Sequence, residues 1–182
     1  MLFRSAAGET RAGRALVLFL GSNIGNFDRP GAEAFLCGIR AGLARGDALL
    51  VGADLVKPER DLLLAYDDPL GVTAAFNRNL LVRINRELGG NFDIGQFAHR
   101  AVWAPAPSRV EMHLVSRVRQ HVRIVAADLD CVFDAGESIW TESSYKSRPD
   151  ELVVHLEQAG FRLVEQWIDD ADGFALTLVE AI

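Results

Sequence analysis

The chain has 182 residues, 49% of them hydrophobic, with 25 acidic and 19 basic side chains for a formal net charge of −6. That composition supports a sizeable core and argues against a disordered chain; its negative balance argues against a general nucleic-acid or anionic-membrane surface. No apolar run reaches the ~18 residues of a membrane helix, and Cys37 and Cys131 show neither metal-ligand nor disulfide spacing.

Both cysteines therefore read as buried small apolar residues, in a reducing, cytoplasmic setting and with no metal expected. Residues 1–14 are a polar lead-in without a signal-peptide cleavage pattern. Residues 15–20, "ALVLFL", are continuously apolar and stop at Gly21, as a strand buried on both faces does. Asp28 and Pro30 suit a helix start, Ala32, Leu36, Ile39 and Leu43 recur at helical spacing, and Gly46 suits its end. Residues 48–55 read as a second buried strand, completing a β-α-β unit.

Past Lys57-Pro58 the pattern changes. "ERDLLLAY" is a short helix, and Val72, Phe76, Leu80, Ile84 and Leu88 form the apolar stripe of a helix over 72–88, closed by Gly89-Gly90. From residue 98 the period becomes two: Val110, Met112 and Leu114 share one strand face, Glu111 and His113 the other. Val122, Ile124 and Ala126, then Leu129, Cys131 and Phe133, extend an antiparallel group. A helix follows from Pro149, with Leu152, Val153, Leu156 and Ala159 as its stripe and Gly160 as its end. Residues 162–168 and 173–180 read as a hairpin joined by "DDADG". The fold class is α/β: a sheet over 1–56, an α+β insertion over 57–147, and the end of the sheet over 148–182.

Ligands of an open parallel sheet bind beyond the carboxyl ends of its strands, where residues 21–27, "GSNIGNF", lie. Glycine backbone and Asn amides suit a small zwitterion; a turn with local side-chain bonds fits the same residues. Neither a dinucleotide glycine motif nor a phosphate loop is present.

"FLGSNIGNF", "AYDDPLGVTAAFNRNLL", "INRELGGNFD", "SRVEMHLVS" and "AGESIWTESSYK" together resemble the histidine-specific methyltransferase family. The resemblance runs from about residue 15 to the C-terminus. It implies S-adenosylmethionine (SAM) as methyl donor and transfer to the α-amino group of L-histidine, giving hercynine on the path to ergothioneine. It also implies a class I, Rossmann-like sheet. Residues 15–20 and 48–55 would be its fourth and fifth strands, 162–180 its closing hairpin, and the insertion a substrate-recognition domain.

The resemblance carries roles residue by residue. Gly21 and Asn26 match the loop lining the substrate's amino-acid end, where the Asn26 amide would hold the amine or carboxylate. Tyr66 matches a tyrosine bonding the same end and orienting the nucleophile, so Tyr66 and Asn26 are the catalytic candidates. Phe76 matches a pocket wall and Met112 an apolar contact near the substrate ring. Glu142 and Ser144 match the pair that grips the imidazole. Taken singly, Tyr66 reads as a packed helix-end tyrosine, Glu142 as a solvated carboxylate, and Met112 and Phe76 as packing residues. His99, His113, His121 and His155 match no motif and read as surface or structural.

The resemblance also implies something missing. The main SAM site belongs to strands that precede the fourth, and only 14 residues precede Ala15, fewer than the roughly 30 of one β-α-β unit. The chain therefore reads as a truncated, C-terminal portion. It is expected to bind SAM poorly, and to self-associate or need an N-terminal half as partner. The alternatives are a non-catalytic fragment or interaction module, and a methyltransferase for another amino acid or amine.

Overall fold

The structure is a computed structural model that describes residues 13–182; the polar lead-in lies outside the described residues except for its last two. The chain forms two compact units. One runs to Val56 and resumes over Tyr145–Ile182; the other is Lys57–Ser144.

In the sheet unit, β1 (Leu16–Phe19) and β2 (Ala48–Asp54) run parallel, Leu16 opposite Ala48 and Phe19 opposite Val51. Helix α1 (Arg29–Ala41) connects them. The Asp28 carboxylate accepts from the Gly31 N–H at 2.9 Å, and Pro30 sits in the first turn, where its missing N–H costs nothing. The helix stops at Ala41 with Gly42 as its cap, about a turn before Gly46. Gly46 instead takes φ 88°, a left-handed conformation in the turn into β2 that glycine adopts freely. Helix α4 (Pro149–Gln158) opens with Asp150 and Glu151 in its first turn, where negative charge meets the positive end of the helix dipole. β8 (Phe161–Asp169) and β9 (Phe174–Ala181) form the expected hairpin. β9 pairs antiparallel with both β8 and β2, giving the order β1-β2-β9-β8.

Alternation along these strands sorts their side chains. Leu49, Val51 and Ala53 of β2, with Val179 and Ala181 of β9, pack on Leu36 and Ile39 of α1 and Leu152 and Leu156 of α4. The opposite face keeps Leu16 and Leu18 of β1 more than half exposed, at 56% and 57%. The expectation that residues 15–20 are buried on both faces is thus corrected. α1 and α4 cover one side of the sheet, and Val17 and Phe19 alone point into that core. Cys37 is exposed and Cys131 half-buried, against the reading of both as core. Cys37 follows the buried Leu36 by one residue, about 100° further round α1.

Among the described residues β1 pairs with β2 alone. An apolar strand with a free edge and an open face invites pairing with another chain. The purified chain should therefore sediment as self-associated species, and Leu16→Lys with Leu18→Lys should shift it toward monomer. An unchanged sedimentation profile would place the association elsewhere.

The insertion unit contains α2 (Glu59–Tyr66), α3 (Val72–Leu88) and five strands: β3 (Phe97–Ala104), β4 (Arg109–Ser116), β5 (Gln120–Ile124), β6 (Leu129–Phe133) and β7 (Ser138–Tyr145). β4 lies between β3 and β7, and β5 pairs with β6. The Asp68 carboxylate caps α3, accepting from Val72 N–H at 3.1 Å and Thr73 N–H at 2.8 Å. Those backbone donors pull its pKa down to about 2. Gly89, at φ 65°, ends the helix.

The face of α3 that packs is not the expected one. Val72 and Phe76 are 65% and 67% exposed, whereas Asn77 and Leu81 are buried. Each i+4 step advances about 40° round a helix, so a five-residue line winds away from any single contact. The core takes Leu81 and part of Ile84, with Phe92, Phe97, Leu114, Val122 and Ile124. β4 alternates as predicted, with Val110, Met112 and Leu114 inward. On its other face Arg109 bonds Glu111 at 2.6 Å and stacks 4.4 Å from the Trp140 ring. The Arg109 hydrogen bond, opposed by partial burial, holds the Glu111 carboxyl below its usual range.

Candidate active site

The loop after β1 folds on itself. Gly21 and Ser22 both take left-handed backbone, φ 72° and 56°, and residues Asn23–Asn26 form a single 3-10 turn. Ser22 Oγ accepts from the Asp54 N–H at the end of β2, 2.8 Å away. The Asn23 amide donates to the Leu20 carbonyl at 2.8 Å, and Ile24 inserts into the core. The turn with local bonds is therefore formed: Asn23 serves it, while Asn26 is exposed and its amide makes no hydrogen bond among the described residues.

The end of β2 carries a feature that sequence reasoning missed. Lys146 Nζ lies 2.8 Å from Asp54 Oδ2, with 1% of the lysine side chain exposed. Backbone bonds bring the two segments together: Ser147 N–H donates to the Asp54 carbonyl at 3.1 Å, and Val56 N–H to the Ser147 carbonyl at 3.0 Å. Asp54 therefore links the loop of Ser22 to the segment of Lys146. No spacing in the sequence signals a pair 92 positions apart.

In the insertion unit the structure brings Tyr66 and Ser144 together. Tyr66 is the last residue of α2, and its hydroxyl donates to Ser144 Oγ at 2.6 Å. Ser144 is buried in β7. Glu142, half-buried, stands two residues earlier in that strand, and its carbonyl accepts from Trp140 Nε1 at 2.9 Å. Met112 is buried in β4, and its carbonyl accepts from Thr141 Oγ1 of β7 at 2.9 Å. Phe76 stands exposed on α3 rather than in the unit's core. Gly21 and Asn26 belong to the sheet unit.

Behind Tyr66 lies a second network. His99 of β3 has 1% of its side chain exposed. Its Nε2 donates to the Tyr66 carbonyl at 2.8 Å, and its Nδ1 meets the Asn77 amide nitrogen at 3.0 Å. His99 is thus a buried connector, which narrows the reading of it as surface or structural. The signal was available: alternation in β3 puts His99 on the same face as the fully buried Phe97.

Among the described residues no group of three His, Cys, Asp or Glu side chains could hold a metal ion, and no helix is long and apolar enough to cross a membrane. Residues 3–181 match the family model described as "Histidine-specific methyltransferase, SAM-dependent". The chain is 49% identical over 166 residues to the histidine N-alpha-methyltransferase of Mycolicibacterium smegmatis, covering 91% of this chain and 52% of that protein. It is 50% identical over 169 residues to the Mycobacterium tuberculosis protein of the same name, covering 92% and 52%. It is 30% identical over 155 residues to ergothioneine biosynthesis protein 1 of Schizosaccharomyces pombe, covering 85% of this chain and 20% of that one. The chain spans about half the length of the two bacterial relatives. Matched along nearly its whole described length, the chain belongs to the SAM-dependent, histidine-specific methyltransferase family.

Proposed function

We propose that this chain supplies the acceptor-recognising part of a methyltransferase that transfers the methyl group of SAM to the α-amine of L-histidine, the hercynine-forming step of ergothioneine biosynthesis. The supporting observation is the 2.6 Å bond from Tyr66 to Ser144, with Glu142 two residues along the same strand, in a chain of this family.

The direction of that bond suits the reaction. With its proton committed to Ser144, the Tyr66 oxygen offers lone pairs and can accept an N–H from the substrate amine. An amine that is neutral when held that way has a lone pair that can be aimed. Ser144, accepting from Tyr66, donates its own proton to the bare ring nitrogen of the substrate. Glu142 accepts from the ring N–H, and the two together select imidazole over other side chains. Within the same unit Met112 and Phe76 supply apolar contact to the ring.

SAM, when bound, supplies an electrophilic methyl group. Transfer of that methyl to a neutral amine would release S-adenosylhomocysteine and one amine proton to solvent. At the carboxyl ends of β1 and β2 the described residues present a closed turn and an aspartate already paired with a lysine. They do not fit the donor by themselves. The contribution of this chain is alignment, which can be worth roughly 7–11 kcal/mol of the barrier.

The test combines the purified chain with the amino-terminal half of the Mycolicibacterium smegmatis relative, SAM and L-histidine, and measures hercynine by mass spectrometry. Methylated histidine is expected from the combination. Tyr66→Phe should lower turnover about tenfold, the worth of one hydrogen bond, while leaving histidine affinity nearly unchanged. No methylation of histidine, or equal turnover in the variant, would overturn the reading or the role of Tyr66 respectively.

A further inference from the structure

We propose that His99 and Asn77 are positioning residues that set the place of Tyr66 through a hydrogen-bond relay with one allowed direction. The inference rests on the reading of Tyr66 as the tyrosine that meets the substrate amine.

The relay begins and ends on backbone carbonyls, which only accept. Asn77 Nδ2 lies 3.3 Å from the His113 carbonyl and 3.0 Å from His99 Nδ1. The carbonyl fixes the amide with its NH2 toward it. The second N–H of that NH2 then points at Nδ1, which must be the acceptor. The ring proton therefore sits on Nε2, where the Tyr66 carbonyl stands 2.8 Å away to receive it. A proton on Nδ1 would set an N–H against an NH2. The imidazole is held in one tautomer by its partners at both ends. The Asp67 carboxylate, 4.0 Å from Nε2, is beyond hydrogen-bond reach. Burial makes the arrangement obligatory: Asn77 is 4% exposed and the His99 side chain 1%, so a broken bond leaves a polar group without water.

Tyr66 ends α2, and a helix leaves its last carbonyls without partners in the helix. His99 caps the final one and so fixes the Tyr66 backbone, while Ser144 fixes the hydroxyl at the other end of the residue. The two anchors lie on β3 and β7, the outer strands that flank β4 and Met112. Tyr66 is thereby clamped at both ends across a three-stranded sheet, and its phenol oxygen is presented by geometry that His99 sets.

The test uses NMR of the 182-residue chain, whose two tyrosines and four histidines can be assigned by single substitution. His99 should show the Nε2–H tautomer in long-range proton–nitrogen spectra, and the Tyr66 hydroxyl proton should exchange slowly with solvent. His99→Gln retains an acceptor and a donor and should keep the slow hydroxyl. His99→Leu, of similar size with neither, should speed its exchange at least about tenfold. A His99 ring protonated on Nδ1, or unchanged hydroxyl exchange in folded His99→Leu, would overturn the relay. The wild-type tautomer decides the matter if His99→Leu fails to fold. If the wild-type chain does not bind L-histidine, the substrate reading fails, and the relay is still decided by tautomer and hydroxyl exchange.

Discussion

Phe97→Ala should destabilise the insertion unit by about 3–5 kcal/mol, the cost of emptying an aromatic site in a closed core. Phe97 is fully buried. Its ring meets Phe133 edge-on at 5.6 Å and 84°, and Phe92 at 5.8 Å and 63°. Such contacts add about 0.5–1.5 kcal/mol per pair beyond burial, and Leu81, Leu114 and Val122 close the remaining sides. Urea unfolding followed by tryptophan fluorescence in a Trp167→Phe background reads the insertion alone, because Trp103 and Trp140 both lie within it. Phe76→Ala is the matched control. At 67% exposure it should change stability by no more than about 0.5 kcal/mol. Equal losses for the two phenylalanines would mean that the core has been assigned to the wrong residues.

Lys146→Met should cost the sheet unit about 3 kcal/mol, the lower end of what breaking a buried ion pair costs. The lysine side chain is 1% exposed, but Asp54 keeps 21% of its side chain in solvent, which relieves part of its stranded charge. The variant keeps the apolar stem of the lysine and removes the cation alone. Adding Asp54→Leu should restore part of the loss, since two apolar groups leave no charge uncompensated. Denaturation followed by Trp167, the one tryptophan of the sheet unit, in a Trp103→Phe, Trp140→Phe background measures both. If the second substitution adds its own full cost, Lys146 and Asp54 are not coupled.

Local signals carried the element map. A capping aspartate, a proline in the first turn and a left-handed glycine act within a few residues; α2, α4 and the β8–β9 hairpin fall where local signals place them, and α1 starts as expected but ends about a turn early. Period-two alternation in β4 assigned its two faces correctly because one face of a small sheet must be dry. What sequence periodicity left open was which apolar surface would find a partner. β1 and α3 are apolar enough to be buried, but Leu16, Leu18, Val72 and Phe76 stand exposed among the described residues. Burial belongs to the neighbour as much as to the residue. The site shows the same division. The resemblance named Tyr66 and Ser144, which the fold places within one hydrogen bond. It passed over His99, Asn77 and Lys146, whose importance comes from partners distant in sequence.

The antiparallel strand that completes the sheet has a temporal consequence. β9, Phe174–Ala181, lies between β2 and β8, so Leu49 and Val51 acquire their neighbours Val179 and Thr177 some 126–130 positions later. A ribosome adding roughly 5–20 residues per second will have made the whole insertion before the sheet can shut. β2 must wait for that interval as a naked parallel ribbon, with its alternate side chains wet. Nascent chains stalled anywhere before residue 174 should accordingly be the ones that chaperones hold and proteases clear.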